Sequence, residues 1–225
     1  MPHRALIEHR PWLFASLVAA ISYFIYADES VPGLFLTVWK GAGVGLLAIY
    51  AARRAHNADG WLLVAVMATE ACADMALEVS FVVGGALFAI GHVIAIRLFL
   101  RNRRTTLASS QKAAAIALMV GSPAIAALLT FGHAGWALAT AYALIVGAMA
   151  GSAWTSGFPR YRVGVGAVLF VVSDLSIFAR ESGHITPALA MWLIWPLYYA
   201  GQFLITTGIV QNLRVRAIIS RLANA

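Results

Sequence analysis

The sequence predicts an all-α polytopic membrane protein, a bundle of eight transmembrane helices forming one domain over residues 1–225. Three observations carry this. Hydrophobic residues make up 61% of the chain and charged ones only 11%, against about 25% charged in a soluble domain. The apolar residues come in runs of about 17–21, the length a helix needs to cross a hydrocarbon core while satisfying its own backbone hydrogen bonds. Basic residues fall in alternate short loops between the runs, the pattern of a chain threaded through a bilayer.

The runs lie at 11–27, 31–51, 61–79, 81–100, 112–131, 134–152, 162–180 and 188–210. The first has no small-residue cleavage site after it and reads as a span rather than a secretory signal. Trp12, Trp61 and Trp136 sit near span ends, where an aromatic belt places them. Arg4 and Arg10 precede the first span, and Arg53 and Arg54 follow the second. Arg101, Arg103, Arg104 and Lys112 follow the fourth, Arg160 and Arg162 the sixth, and Arg214, Arg216 and Arg221 the eighth. The opposite loops carry Asp28, Glu29, Glu181 and His184, with Arg180 their one basic residue. Both termini are therefore expected in the cytoplasm, with the protein in a bacterial inner membrane. The net charge of +7 is accounted for by these loops, so membrane lipids rather than nucleic acid are the expected surroundings. The single cysteine, Cys72, has no internal partner with which to form a disulfide.

A weak internal symmetry is visible. Asp74 follows Ala73 in the third span, and Asp174 follows Ser173 in the seventh. Both sit at similar depth in outward-running helices, which a four-plus-four parallel repeat would explain.

An ionisable group at the bilayer centre costs a few kcal/mol at least on translocon scales (about 2.5–3.5). The informative residues are therefore Lys40 in the second span, Glu70, Asp74 and Glu78 in the third, His92 in the fourth and Asp174 in the seventh. Arg97 is close enough to its span end to reach the interface. Glu70, Asp74 and Glu78 recur every four residues and share one helix face, which must look into the bundle. Three ionised carboxylates so placed repel one another, so at least one is expected to hold its proton, with Lys40 compensating another. Counted along the spans, Lys40, Glu70 and His92 fall near mid-membrane, and Asp74 and Asp174 slightly toward the outer half. Tyr198, Tyr199 and Gln202 in the eighth span are also near the middle.

Bland readings stand beside the functional ones. Lys40 with Glu70 makes sense as a clamp between helices. Glu78 is near enough to a span end to be solvated. His92 and Gln202 suit interhelical hydrogen bonds, and Tyr198 suits packing. Asp74 and Asp174 fit a purely structural role least, having no arginine at matching depth. No metal site is expected, since His92 is the one histidine clearly within the membrane and a catalytic zinc has three protein ligands. Ser173 and Asp174 point about 100° apart on a helix, so they do not form part of a triad. No phosphate-cradling loop or dinucleotide fingerprint is present, and no cofactor is expected.

At these residues the chain resembles the YhhN-type integral membrane proteins, which include the lysoplasmalogenases. The stretch Gly166-Ala167-Val168-Leu169-Phe170-Val171-Val172-Ser173-Asp174 is similar to that family's G-A-x-x-F-x-x-S-D. Leu197-Tyr198-Tyr199-Ala200-Gly201-Gln202 is similar to its Y-Y-x-x-Q, and Phe88-Ala89-Ile90-Gly91-His92 to F-x-x-G-H. Asp74 falls at a G-D pair and Lys40 at K-P, with Ala73 and Gly41 departing from the pattern. The resemblance implies hydrolysis of the vinyl-ether bond of a lysophospholipid substrate, giving a fatty aldehyde and a glycerophospho-alcohol. That chemistry needs one carboxylic acid to protonate the carbon beta to oxygen, and one carboxylate to stabilise the oxocarbenium ion and deprotonate water. The resemblance implies Asp74 and Asp174 as this pair, with either as the acid. Lys40, Glu70 and His92 would tune them, and Tyr199 and Gln202 would hold water or the ether oxygen. Buried carboxylates and a lysine also suit a proton-coupled transporter. A helix broken at a repeat interface would favour that carrier, and Gly41, Gly43 and Gly45 are candidate positions for such a break.

Overall fold

The structure, a computed structural model, describes residues 10–26 and 33–224. Arg4, Asp28 and Glu29, which contribute to the expected orientation, lie outside the described residues, as do the first two residues expected for the second span. Nine α-helices follow in order among the described residues: α1 (Pro11–Tyr26), α2 (Gly33–Ala52), α3 (Ala58–Leu77), α4 (Phe81–Arg101), α5 (Ser109–Thr130), α6 (Trp136–Thr155), α7 (Val165–Glu181), α8 (Pro187–Leu193) and α9 (Trp195–Ala223). A π-helical turn, Arg160–Gly164, leads into α7. Seven helical segments are long and apolar enough to cross a membrane, α7 counted with its π-turn and α8 with α9. α1 is shorter, at 16 residues, or about 24 Å against a hydrocarbon core of about 30 Å.

The outer faces of these helices confirm the class. Phe14, Leu34, Phe35, Leu128 and Phe131 are all largely exposed. A water-facing surface of that composition would drive association, whereas lipid solvates it.

Local sequence sets the helix boundaries. The Asn57 side chain accepts the Gly60 N–H at 2.8 Å and caps α3. Gly132 and Gly183 adopt positive φ, +80° and +73°, and terminate α5 and α7 in a conformation that costs glycine no Cβ clash. Thr186 caps α8, ahead of Pro187 in its first turn. The eighth span is not one continuous helix, as the sequence reading had it. It breaks at Ile194, whose ψ is −76°, two residues before Pro196, which has no N–H to donate to an i−4 carbonyl.

The chain packs as two compact units, Met1–Gly91 and His92–Ala225. The division falls inside α4 and not in the loop between α4 and α5, so the units are not four whole helices each. In the first unit, the Ser16 hydroxyl donates to the Gly43 carbonyl at 2.6 Å, and Trp39 Nε1 donates to Ser22 Oγ at 3.0 Å. Both bonds join α1 to α2. α2 then runs unbroken through Gly41, Gly43 and Gly45. A Cβ on Gly41 would lie 2.6 Å from Met75 Cγ and 3.2 Å from the Ala71 carbonyl, so this glycine lets α2 and α3 approach closely.

The second unit uses the same device twice. Gly147 and Gly151 of α6 lie against α5, where added Cβ atoms would meet the Leu118 carbonyl at 2.7 Å and the Ala115 carbonyl at 3.1 Å. Gly166 of α7 faces Gly201 of α9. A Cβ on either would come within 2.6–2.7 Å of the other's carbonyl oxygen. The two helices therefore touch backbone to backbone, one turn or two from the polar residues they carry.

Candidate functional site

The first unit holds Lys40, Glu70, Asp74 and Glu78. Glu70 and Asp74 lie one turn apart on α3 and are both about 2% exposed. Gly91, the last residue of this unit, lies against Glu70. A Cβ there would sit 2.9 Å from Glu70 Cγ and 3.3 Å from Oε1. The glycine of the Phe-x-x-Gly-His stretch thus leaves room for a buried carboxylate.

Lys40 does not pair with Glu70 in the interhelical clamp weighed from the sequence. Its Nζ donates to Glu78 Oε1 at 2.6 Å. The reason is depth. Glu78 is the residue just past the end of α3, and Lys40 is only two turns into α2 from Gly33, so the two meet near one end of their helices. Their side chains are 15% and 29% exposed. This pair is therefore more exposed than Glu70 and Asp74 on the same face of α3.

The second unit holds His92, Asp174, Tyr198, Tyr199 and Gln202, all buried. His92 Nε2 lies 3.1 Å from the Tyr142 hydroxyl. The same hydroxyl donates to Asp174 Oδ2 at 2.8 Å. Three elements, α4, α6 and α7, thus supply one hydrogen-bonded chain. A phenol has a single proton, so when it donates to an ionised Asp174 it must accept from His92 Nε2–H. Reversing the chain places the proton on Asp174 and makes His92 Nε2 the acceptor. With Nδ1 protonated in both, the two states are imidazolium with carboxylate and neutral imidazole with carboxylic acid, and they interconvert when the Tyr142 proton moves to Asp174 as the His92 Nε2 proton moves to the phenol oxygen.

Tyr142 was not singled out from the sequence. It stands alone in an Ala-rich run, Ala139-Thr140-Ala141-Tyr142-Ala143, and no pattern separates it from a packing tyrosine. The signal available was the demand for partners: a buried histidine and a buried aspartate each need one, and tyrosine is the long side chain in that run able to serve both.

Aromatic rings wall this chain. Phe170 packs edge-on to His92 at 4.8 Å between centroids, and Tyr198 packs edge-on to Phe170 at 5.2 Å. Trp195 stacks with Tyr199 at 6.4 Å. Gln202 is fully buried one turn further along α9. Ser173 lies beside Asp174 on α7. Its hydroxyl donates to the Ile194 carbonyl at 2.9 Å, so it ties α7 to the break between α8 and α9.

Helices with lipid-facing outer surfaces and buried acid, imidazole and phenol groups define a polytopic α-helical membrane protein with an internal polar site. The match of a family model makes the class specific. The YhhN family model covers residues 35–209, and the chain belongs to the YhhN family, the lysoplasmalogenase family. No curated protein and no solved structure matches the chain significantly.

Proposed function

We propose that this protein is a membrane-embedded hydrolase that cleaves the vinyl-ether bond of lysoplasmalogens, or of a related single-chain ether lysolipid. Family membership supports the substrate class. The observation that carries the chemistry is the buried chain from His92 through Tyr142 to Asp174, because vinyl-ether cleavage starts with delivery of a proton to carbon.

In this reading a carboxylic acid protonates the vinyl carbon beta to the ether oxygen, leaving an oxocarbenium ion. Water adds to the cationic carbon, and a carboxylate takes the proton that water releases. The hemiacetal collapses to a fatty aldehyde and a glycerophospho-alcohol, so one water is consumed and no net proton. Asp174 is one carboxyl of the pair, and Tyr142 and His92 carry protons to or from it. Asp74 of the first unit is assigned the second carboxylate role, as the family resemblance implies. Tyr199 and Gln202 are assigned to water or the ether oxygen. The aromatic walls suit both the alkenyl chain and the developing cation. The loop charges support an orientation with both termini in the cytoplasm.

The test is aldehyde release from a lysoplasmalogen by purified protein in D2O. The mechanism predicts one solvent deuterium on the carbon next to the aldehyde carbonyl. Release without deuterium there would rule out carbon protonation, and no release would rule out the substrate.

One observation favours a second reading, a proton-coupled carrier. Discontinuous helices mark many carrier binding sites, and the break at Ile194 is bonded to Ser173, the neighbour of Asp174. Proton uptake into liposomes driven by an added lysolipid, with no aldehyde formed, would select that reading.

A further inference from the structure

At one end of the second unit three basic clusters converge: those after α4, on the π-helical turn, and on the last turns of α9. Arginines from the first and the last of these clasp the segment Ser156–Pro159. Arg104 Nε donates to the Ser156 carbonyl at 2.7 Å and its Nη2 to the Phe158 carbonyl at 3.3 Å. Arg216 reaches the same segment from α9, donating to the Asn102 side chain at 2.7 Å and to the Gly157 carbonyl at 3.3 Å. Its guanidinium also lies 5.3 Å from the Phe158 ring centroid. Arg160 donates to the Trp154 carbonyl at 3.4 Å, and Arg162 bonds the Gln211 side chain. Every one of these acceptors is an uncharged oxygen. From His92 to the C-terminus the sequence has two acids, Asp174 and Glu181. Neither is at this end: Asp174 is midway along α7, and Glu181 closes that helix at its opposite end. Arg104, Arg160, Arg162 and Arg216 are thus ordered by neutral oxygens, and no acid of the second unit lies among them to balance their charge.

α9 shows what kind of partner fits. It has 29 residues, about 43 Å of helix, more than the roughly 30 Å hydrocarbon core needs. Its last turns carry Val215, Ile218, Ile219 and Leu222, each about half or more exposed. At 100° per residue these four fall within about 100° of arc, with Arg214, Arg216 and Arg221 on the flanks. A narrow exposed apolar stripe edged by arginines, at the end of a helix longer than the core it crosses, suits the boundary between acyl chains and headgroups. Tyr161, 83% exposed on the π-helical turn, adds an interfacial ring beside it.

We propose that this end of the second unit is a binding surface for anionic phospholipid headgroups, with the guanidinium groups on the phosphodiester and the α9 stripe in the acyl boundary. Charge complementarity favours an anion. The apolar stripe, on a helix already embedded in the bilayer, favours a lipid over a free anion or a soluble partner.

The test uses the full chain in detergent and fluorescent short-chain phosphatidylglycerol, with the matching phosphatidylcholine as control. Phosphatidylglycerol is expected to bind at least tenfold more tightly, with an affinity that falls as salt rises. Arg103→Gln, Arg214→Gln and Arg221→Gln combined should weaken it on the order of 100-fold and leave phosphatidylcholine binding unchanged. The matching triple lysine variant should retain most of the affinity, as should Arg180→Gln at the opposite end. Equal binding of the two lipids, salt-independent binding, or full affinity in the glutamine variant would each overturn the proposal. So would complete displacement by millimolar inorganic phosphate, which would make this a free-anion site, or burial of the stripe in a dimer that excludes the lipid. None of these readouts depends on hydrolytic activity.

Discussion

The Tyr142 hydroxyl bridges His92 and Asp174, donating to Asp174 Oδ2 at 2.8 Å and lying 3.1 Å from His92 Nε2. If this bridge carries protons, Tyr142→Phe should lower aldehyde release at least tenfold, in keeping with the usual size of acid–base contributions. It should also change the shape of the pH–rate profile. The phenylalanine keeps the ring contacts with His92 and Phe178, so a purely packing role predicts wild-type kinetics and an unshifted profile.

The Lys40–Glu78 bond predicts a charge cycle. Lys40→Met leaves a partly buried carboxylate without its cation, and Glu78→Gln leaves the amine. Each single change should destabilise, by less than the 3–5 kcal/mol or so seen when a fully buried pair is broken, because both groups are only partly buried. The double variant should be more stable than the sum of the two single changes predicts. Thermal unfolding in detergent measures all three, and strict additivity would show that the pair is not coupled.

Two glycines should behave differently. At Gly201 an added methyl meets the Gly166 carbonyl oxygen at 2.6 Å, and backbone cannot step aside. Gly201→Ala should cost about 1–3 kcal/mol through overpacking. At Gly91 the obstacle is the Glu70 side chain, nearest at Cγ, which has more freedom to shift than backbone. Gly91→Ala should therefore spare stability while disturbing whatever Glu70 does, seen as activity lost at nearly unchanged melting temperature.

Ser173→Ala tests the tie to the helix break. The Ile194 carbonyl would keep its bond from the Tyr198 N–H, so only about 1 kcal/mol of stability should go. A larger loss, with faster proteolysis between α8 and α9, would show that the hydroxyl holds the break in place.

Most of the architecture was readable because lipid imposes a strong constraint: long apolar runs and loop arginines mark the helices with little help from packing. The break at Ile194 was harder to see. Trp195 and Pro196 lie within an apolar stretch that hydropathy reads as continuous. The roles of the motif glycines were hidden for another reason. Gly166 and Gly201 are far apart in sequence, and only their backbone contact explains why neither has a side chain. Of the candidate residues, the buried state of Glu70, Asp74, His92, Asp174 and Gln202 follows from their place inside apolar helices. Their partners do not follow. A side chain's reach along a helix axis sent Lys40 to Glu78, and Tyr142 carried no mark of its own.

The most direct test of the account is aldehyde release from a lysoplasmalogen by the wild-type protein beside Asp74→Asn and Asp174→Asn, all three checked for equal folding. Release by the wild type is expected, with a loss of at least a hundredfold in each variant. An active wild type matched by both variants would contradict the assignment of the chemistry to these carboxylates.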